Sequence, residues 1–361
     1  MVITDVRTHH LTSPLHTPFV TALRRISTVE TLAVEIIAED GSRGFGEVPQ
    51  VWQVTGESVA GAKACIEGPL AALITRRDAS NYVGLLREVR GAVAGNGGAK
   101  AAIDIAVHDL VARQLGVSLV RLLGGTSTTV ATDVTLSVGP VDDLVNGALA
   151  RVVEGFNVLK IKVGTDPSAD VCAVTAVREA VGPLVRIRLD ANQGWTERRA
   201  IQAIRALEDA QVDIELVEQP IAAGDLDGLA RVTAQVDTPI MADEAIYGVT
   251  ELIEVIRRHA ADMVNVKLAK CGGLAVAKTL LDLATAAGLG TIVGSMMESA
   301  IGVGAAASLA AAYGTSATSD LDAAWWLARP VNGGIRYEGS SLILPDRPGL
   351  GISGIEDFRT I

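Results

Sequence analysis

The feature that most constrains the fold of this 361-residue chain is a repeat that begins near Val130. Each unit is a short apolar run that ends in a polar or charged residue and is followed by a helical pattern. The residues that end these runs are Thr135, Lys162, Asp190, Glu218, Asp243, Lys267, Ser295 and Asp320. From Lys162 onward they lie 28, 28, 25, 24, 28 and 25 residues apart, close to the length of a βα unit. Eight such units predict an α/β barrel of parallel strands.

The chain is organised differently on either side of the repeat. Residues 1 to about 50 carry strand patterns and residues 58–123 carry helical ones, which together predict a small α+β domain. From residue 325 onward, glycines and prolines are frequent and helical periodicity is absent. We therefore expect an α+β capping domain over residues 1–125, a barrel over 126–324, and a C-terminal segment over 325–361 that returns to the capping domain.

The composition argues against several classes of partner. The chain has 31 Lys and Arg against 42 Asp and Glu, a formal charge of −11, so neither nucleic acid nor an anionic membrane is expected as a partner. No signal peptide is recognisable, and polar residues around Glu298 interrupt the apolar stretch 288–314, so no membrane span is expected. Cys65, Cys172 and Cys271 are far apart and odd in number, which fits a reducing cytoplasm.

Three consecutive strands of the predicted barrel end in carboxylates, at Asp190, Glu218 and Asp243. Catalytic groups of a parallel barrel lie at the C-terminal ends of its strands, so these side chains should face one mouth. They would repel each other there unless a cation lay among them, and such hard oxygen ligands suit Mg²⁺ or Mn²⁺. Helix capping or pairing with lysines would explain one such acid more readily than three. We expect one Mg²⁺ per subunit, with Mn²⁺ as the alternative.

Lysines flank this predicted metal site on both sides. Lys160 and Lys162 point to the same side of one strand, because side chains alternate with period two, and Lys267 ends the strand after the last carboxylate. An exposed edge strand would leave the first two in solvent, whereas burial near a second cation would lower a lysine pKa toward a value useful for proton abstraction. In a barrel, Lys162 and Lys267 would face each other across the mouth. Removing a proton on one face and returning it on the other would invert an α-carbon, while a metal stabilises the enolate charge.

Other residue types offer no competing chemistry. No histidine falls at a predicted strand end, and Ser295 has no histidine partner in a recognisable nucleophile motif. Lys270 lies beyond its strand end, so we expect an ordinary cation in a loop or at the start of a helix.

These motifs together resemble those of the enolase superfamily, in its muconate-lactonizing-enzyme subgroup. The resemblance spans nearly the whole chain and includes the Lys160/Lys162 pair, the three carboxylates and Lys267. It implies a modified TIM (β/α)7β barrel with an N-terminal α+β capping domain that the C-terminal segment completes. It also implies that Lys162 and Lys267 are the acid/base pair, that Lys160 tunes Lys162, and that the three carboxylates bind the metal.

Finer motifs resemble those of the dipeptide epimerases within that subgroup. Asp320 and Asp322 are similar to an acidic pair that holds the free ammonium of a dipeptide. Arg24 matches an arginine that receives the side-chain carboxylate of a glutamate, and a guanidinium fork suits such an anion. A helix N-cap would also explain the two aspartates, and Arg24 alone would be an ordinary surface residue. The resemblance implies substrate contacts at Arg24, Thr135, Lys160, Ser295, Met297, Asp320 and Asp322.

The expected activity is Mg²⁺-dependent epimerisation of the C-terminal residue of a dipeptide, with L-Ala-D/L-Glu as one candidate. The alternatives are an N-acylamino acid racemase, an o-succinylbenzoate synthase or a muconate cycloisomerase, and more remotely a non-catalytic barrel that binds a partner. The synthase and the cycloisomerase need no partner for an ammonium, so Asp320 and Asp322 argue against them. Trp52, Trp325 and Trp326 could shape the pocket, although core packing is favoured for the last two. We expect a cytoplasmic homo-oligomer.

Overall fold

The computed structural model describes residues 1–329 and 331–355, so residues 356–361 of the predicted C-terminal segment lie outside the described residues. The capping domain opens with an antiparallel sheet of three strands in chain order. These are β1 (Ile3–Val20), β2 (Arg25–Ala38) and β3 (Arg43–Pro49). Its helical elements are α1 (Val59–Cys65), a π-helical turn at Ile66–Leu70, α2 (Ala71–Ile74), a 3₁₀ turn at Ala79–Asn81, α3 (Tyr82–Ala92), α4 (Gly97–Gln114) and α5 (Leu119–Leu122).

The barrel follows a short strand, β4 (Thr129–Ala131), and is built from parallel strands that pair in chain order. They are β5 (Val134–Leu136), β6 (Val158–Lys162), β7 (Arg186–Asp190), β8 (Ile214–Glu218), β9 (Ile240–Ala242), β10 (Met263–Lys267) and β11 (Gly290–Gly294). The helices are α6 (Val141–Val153), α7 (Pro167–Val181), α8 (Glu197–Asp209), α9 (Leu226–Thr233), α10 (Val249–Arg258), α11 (Leu268–Cys271), α12 (Leu274–Ala286) and α13 (Ala300–Tyr313). The predicted α/β fold, with a capping domain and a parallel barrel, is confirmed.

The eighth position of the barrel is occupied by a stretch that is too short to count as a strand. Ser319 bridges to Thr132 and Asp320 bridges to Gly294, both in parallel register, and these two bridges close the ring. A 3₁₀ turn at Ala323–Trp326 follows. The closure agrees with the expected (β/α)7β arrangement.

The start of the repeat differs from the sequence prediction. Val130 lies in β4, which pairs with the C-terminal segment and not with the barrel strands. The first barrel strand begins at Val134 instead. The apolar run near Val130 therefore belongs to a separate small sheet, a pairing that no local pattern distinguishes from a barrel strand.

The C-terminal segment contacts both parts of the chain. Its strands β12 (Arg336–Glu338) and β13 (Ser341–Ile343) form a three-stranded antiparallel sheet with β4, next to the barrel. Farther on, the N–H of Leu350 donates to Asp109 Oδ1 of α4 at 2.6 Å, and Arg113 donates to the carbonyl oxygen of Ile352 at 2.7 Å.

Helix α4 connects the capping sheet to the barrel and is buried along most of its length. It approaches β3 closely because Gly46 has no side chain: a Cβ there would lie 1.9 Å from the carbonyl oxygen of Ala102. Toward the barrel, Asp104 Oδ1 accepts the N–H of Leu274, the first residue of α12, at 2.8 Å. These contacts fix the capping domain over one end of the barrel.

The hydrophobic core has two main parts. One fills the capping domain around Leu32, Ile36 and Ile103. The other lies between the barrel strands and their helices and includes Ile161 and Leu189. Within the described ranges, none of the helices combines the length and the apolar composition that crossing a bilayer requires.

Candidate active site

The C-terminal ends of the barrel strands converge on one cavity beneath the capping domain. Most of the predicted site residues line it: Arg24, Thr135, Lys160, Lys162, Asp243, Lys267, Ser295, Met297, Asp320 and Asp322. Asp190 and Glu218 are fully buried and contact the lysine ammonium groups. The cavity measures about 70 Å³, whereas ligand pockets commonly measure about 300–1,000 Å³. A larger cavity of about 840 Å³ lies against the C-terminal segment and contains none of these residues.

Lys160 lies at the centre of the charged cluster, and its side chain is buried. Its Nζ is 2.6 Å from Asp320 Oδ2, 3.3 Å from Glu218 Oε2 and 3.5 Å from Asp190 Oδ2. Burial would lower the pKa of Lys160, but the three carboxylates outweigh it and raise that pKa well above the ordinary value. The side chain is therefore a fixed positive charge in this arrangement.

Lys162 and Lys267 face the cavity from opposite sides, since three strands separate β6 from β10. Lys162 Nζ donates to Asp190 Oδ2 at 2.5 Å and lies 5.9 Å from the ring centroid of Phe19 in the capping domain. Lys267 Nζ donates to Asp243 Oδ2 at 2.8 Å. Each lysine thus contacts a different predicted metal ligand.

The sequence argument for a lowered lysine pKa concerned the pair on β6, and Lys267 shows which contribution that argument left out. Burial lowers the pKa of Lys267, but Asp243, Glu218 and Asp320 raise it above its ordinary value by a larger amount. The sequence argument considered burial and a second cation, and it left out the carboxylates that neighbouring strands bring within 4 Å. Opposite charges at that distance favour the charged form of the lysine.

The three carboxylates at consecutive strand ends supply the oxygen donors that a hard divalent cation prefers. Burial, together with the charge of Asp190, raises the pKa of Glu218 to about 8. Burial also acts to raise the pKa of Asp243, but Lys267 and Lys270 hold it well below its usual range. In this structure, lysine ammonium groups are therefore the partners of these carboxylate oxygens.

Two further oxygens at the cavity wall have no hydrogen-bond partner, Asn192 Oδ1 and Glu244 Oε2, and both residues are buried. Burial, with the charges of Asp243 and Asp190, raises the pKa of Glu244 to about 7. Unpaired buried oxygens are costly, and a cation or its water would satisfy them. In residues 1–329 and 331–355, no three acidic, histidine or cysteine side chains stand in a ready ligating arrangement. The donor chemistry fits Mg²⁺, and the lysines compete for the same oxygens.

Sequence reasoning missed Lys270, whose expected role as an ordinary cation is wrong. The residue is 4% exposed and donates both to Asp243 Oδ1 and to the Asp243 carbonyl oxygen. The physical reason is that α11 begins directly after Lys267, so one helical turn returns the side chain to the mouth. The spacing of three residues between the two lysines was the available signal.

The aspartate pair is divided between two kinds of contact. Asp320 pairs with Lys160, and although burial opposes it, this ammonium lowers the pKa of Asp320 to about 2. Asp322 Oδ2 accepts the N–H of Thr135 at 2.7 Å and the indole N–H of Trp326 at 2.9 Å. Burial raises the pKa of Asp322. Ser295 lies beside the pair, since its N–H donates to the Asp320 carbonyl oxygen at 3.0 Å.

Arg24 reaches the cavity from the turn between β1 and β2, with Leu23 beside it. Burial lowers the pKa of its guanidinium. Among the described residues its side chain has no carboxylate within ion-pair distance, in contrast to the lysines below it. A partly buried guanidinium without a carboxylate partner is suited to receive an anionic group.

The tryptophans stand away from the cavity. Trp325 and Trp326 pack edge to face, with ring centroids 5.4 Å apart, and Trp326 is buried. Trp52 is 59% exposed, while its neighbours Val51 and Gln53 line the cavity instead. In the described part of the chain, no tryptophan lines the cavity, and Trp326 contacts it only indirectly, through its hydrogen bond to Asp322 and its packing against Phe19.

Comparison with known families agrees with this arrangement. Residues 3–124 match the mandelate racemase / muconate lactonizing enzyme N-terminal domain, and residues 143–357 match the enolase C-terminal domain-like family. The chain therefore belongs to the enolase superfamily. The L-Ala-D/L-Glu epimerase of Bacillus subtilis is 40% identical over 98% of this chain and 97% of its own length.

Two further relatives come from Enterococcus faecalis. A hydrophobic dipeptide epimerase is 41% identical over 93% of this chain and 95% of its own length. A crystal structure of a dipeptide epimerase complexed with Mg and the dipeptide L-Leu-L-Tyr superposes with a TM-score of 0.94, at 39% identity, covering 98% of this chain and all of the other. The predicted isomerase class is confirmed by these names, and the non-catalytic alternative is set aside.

Proposed function

We propose that this chain is a dipeptide epimerase that inverts the α-carbon of the C-terminal residue by a two-base proton transfer. The observation that carries the proposal is that Lys162 and Lys267 lie on opposite sides of one cavity. Each of them donates a hydrogen bond to a carboxylate. A planar carbanion held between two such groups can be protonated from either face. The names of the epimerase relatives support the same reaction.

Asp190, Glu218 and Asp243 would hold one Mg²⁺ per subunit, or Mn²⁺, which prefers the same hard oxygen donors. When bound, the ion supplies positive charge beside the substrate carboxylate, which stabilises the negative charge left by the departing α-proton. The Mg²⁺ in the Enterococcus faecalis complex supports this choice of metal.

The lysines divide the proton transfer between them. For one stereoisomer Lys162 Nζ takes the α-proton and Lys267 Nζ delivers a proton to the other face, and for the other stereoisomer the roles reverse. Lys160, whose ammonium pairs with Asp320 at 2.6 Å, would contribute positive charge near the reacting centre. The buried site keeps bulk water away from the carbanion.

The walls of the cavity suggest how a dipeptide would lie. Its free ammonium would bind Asp320 and Asp322, with Thr135, Ser295 and Met297 beside its backbone. Arg24 would receive an acidic side chain of the C-terminal residue, which makes L-Ala-D/L-Glu the favoured substrate. The predictions of a homo-oligomer and of a cytoplasmic location stay predictions.

A second candidate is a preference for apolar C-terminal side chains. Phe19, Leu23, Val51, Val54 and Met297 give the cavity an apolar rim, and one relative is a hydrophobic dipeptide epimerase. The o-succinylbenzoate synthase and muconate cycloisomerase reactions have no use for the aspartate pair. An N-acylamino acid racemase likewise has no free ammonium to bind. Activity that survives loss of both aspartates would favour these alternatives.

The test is a library of dipeptides incubated in D₂O with Mg²⁺ and followed by ¹H NMR for loss of the α-proton signal. Lys162→Ala and Lys267→Ala should each lower epimerisation at least about 100-fold, the usual contribution of an acid/base residue. Each variant should retain exchange of the α-proton of one stereoisomer. Lys278→Ala, at an exposed lysine, is the control. Full epimerisation by either catalytic-site variant would disprove the two-base mechanism.

A further inference from the structure

The loop between β3 and α1 closes the cavity from the capping side. Its residues Val51, Gln53 and Val54 line the cavity, and Val51 packs against Ala269 and Met296 of the barrel. With about 70 Å³, the cavity has too little room for a dipeptide in this arrangement. Residues 51–56, named here the cap loop, form part of its wall, and loops in such positions commonly move for substrate to enter and product to leave.

One tyrosine of the barrel reaches the cap loop. Tyr247, between β9 and α10, donates its hydroxyl to the carbonyl oxygen of Val54 at 2.5 Å. Within the ranges that the structure describes, this is the hydrogen bond that joins the cap loop to the barrel. The other cap-loop bonds stay within the capping domain: the N–H groups of Val54, Thr55 and Gly56 all donate to the Val51 carbonyl oxygen, and the N–H of Glu57 donates to Thr55 Oγ1. The loop is thus a compact unit with one polar attachment to the barrel.

The ring of Tyr247 packs against the charged cluster at the strand ends. Lys270 Nζ lies 5.7 Å from the ring centroid, within the range of a cation–π contact. The same ammonium donates to Asp243, one of the three carboxylates at the strand ends. Burial raises the pKa of the Tyr247 phenol, which keeps its hydroxyl proton available for the loop. A continuous set of contacts therefore leads from the cap loop to the acid/base cluster.

We propose that Tyr247 is a positioning residue, whose hydroxyl holds the cap loop closed over the substrate while its ring rests on Lys270. When the bond to Val54 breaks, the cap loop swings away from the apolar contact with Met296 and the site opens to water. The kinetic part of this inference rests on the proposed epimerase activity. The loop motion itself does not depend on that activity.

The experiment compares Tyr247→Phe with wild type by hydrogen–deuterium exchange and by steady-state kinetics with Mg²⁺ and the preferred dipeptide. Loss of one hydrogen bond should speed exchange of the amides of residues 51–56 about fivefold, and raise KM for the dipeptide by a similar factor with a smaller change in kcat. Tyr313→Phe is the matched control, because Lys278 lies 5.0 Å from that ring centroid. Its exchange and KM should match wild type.

Unchanged exchange of residues 51–56 in Tyr247→Phe would overturn the proposal, as would equal effects in the Tyr313 variant. If the wild type turns over no dipeptide, the proposed function fails while the exchange comparison still decides whether Tyr247 holds the loop. A melting temperature of Tyr247→Phe close to that of wild type would assign faster exchange to the loop and not to unfolding. Faster exchange with a clearly lower melting temperature would instead count against a local role.

Discussion

Replacing Lys160 by methionine should destabilise the fold strongly without Mg²⁺ and much less with it. The side chain is 2% exposed, and its ammonium lies within 3.5 Å of Asp320, Glu218 and Asp190. Removing one partner of a buried ion pair costs about 3–5 kcal/mol, because the remaining charge is left uncompensated. In a barrel of this size that loss lowers the melting temperature on the order of 10 °C. Mg²⁺ should restore part of the lost stability, because its charge would compensate Asp190 and Glu218.

Thermal unfolding followed by circular dichroism, with and without Mg²⁺, measures both effects. Saturating Mg²⁺ stabilises a binding protein by about 2.7 kcal/mol at 100 times Kd, and the gain should be larger in Lys160→Met because no ammonium competes for the oxygens. Lys278→Met is the control, since that exposed lysine pairs with Asp282 one helical turn away and should lose about 0.5 kcal/mol or less. A variant that melts like wild type, or that gains no more from Mg²⁺, would refute this reasoning.

Three further predictions concern other parts of the molecule. Arg24→Met should lower kcat/KM about 10- to 100-fold for dipeptides ending in Glu and leave those ending in Leu unaffected, as kinetics with the two substrates will show. Burial and the charge of Glu47 raise the pKa of Glu298 to about 8, above the 4.5 of an ordinary glutamate. The folded state holds that proton more tightly than the unfolded state. Wild type should therefore lose stability as the pH rises from 4.5 to about 8. Glu298→Gln should lose less than wild type, with Glu218 and Glu244, whose pKa values are also raised, accounting for the remaining loss, as urea midpoints at pH 6 and pH 9 will measure. Gly46→Ala should cost about 1–3 kcal/mol or more in urea unfolding, because its Cβ would meet the Ala102 carbonyl oxygen.

Neighbouring positions provide the comparisons for these variants. Arg25→Met removes an exposed guanidinium next to Arg24 and should not distinguish acidic from apolar substrates. Gly91→Ala, in α3, adds a Cβ to open space and should not destabilise. Parallel pH profiles for wild type and Glu298→Gln would show that Glu298 does not cause the loss.

The strand-end residues were predictable because all strands of a parallel barrel end at the same mouth. Lys162, Asp190 and Lys267 each occupy the last position of their strand, as the spacing of the repeat indicates. Alternation along β6 likewise places Lys160 on the same face as Lys162. Period and unit length are local properties, so the sequence carries them without knowledge of tertiary contacts.

What could not be predicted depends on contacts between distant parts of the chain. Tyr247 meets Val54 across 193 residues, and no pattern around either residue indicates that contact. The pKa direction of Lys160 depends on carboxylates from three other parts of the barrel, which the sequence of its own strand does not contain. The pairing of β4 with the C-terminal segment is a third case.

The closure of the barrel has a consequence for the order in which the chain folds. The ring is completed by two isolated bridges, Thr132 to Ser319 and Gly294 to Asp320, and the first joins residues almost 190 positions apart. Such distant pairings form late, because loop-closure entropy must first be overcome. Early closure would be revealed by pulse-labelled exchange if the Asp133 amide, which donates to the Ser319 carbonyl oxygen, became protected before the amides of β6–β8. We therefore expect the three carboxylates that are proposed to bind the metal, Asp190, Glu218 and Asp243, to come together before Asp322 accepts the N–H of Thr135, 187 residues away.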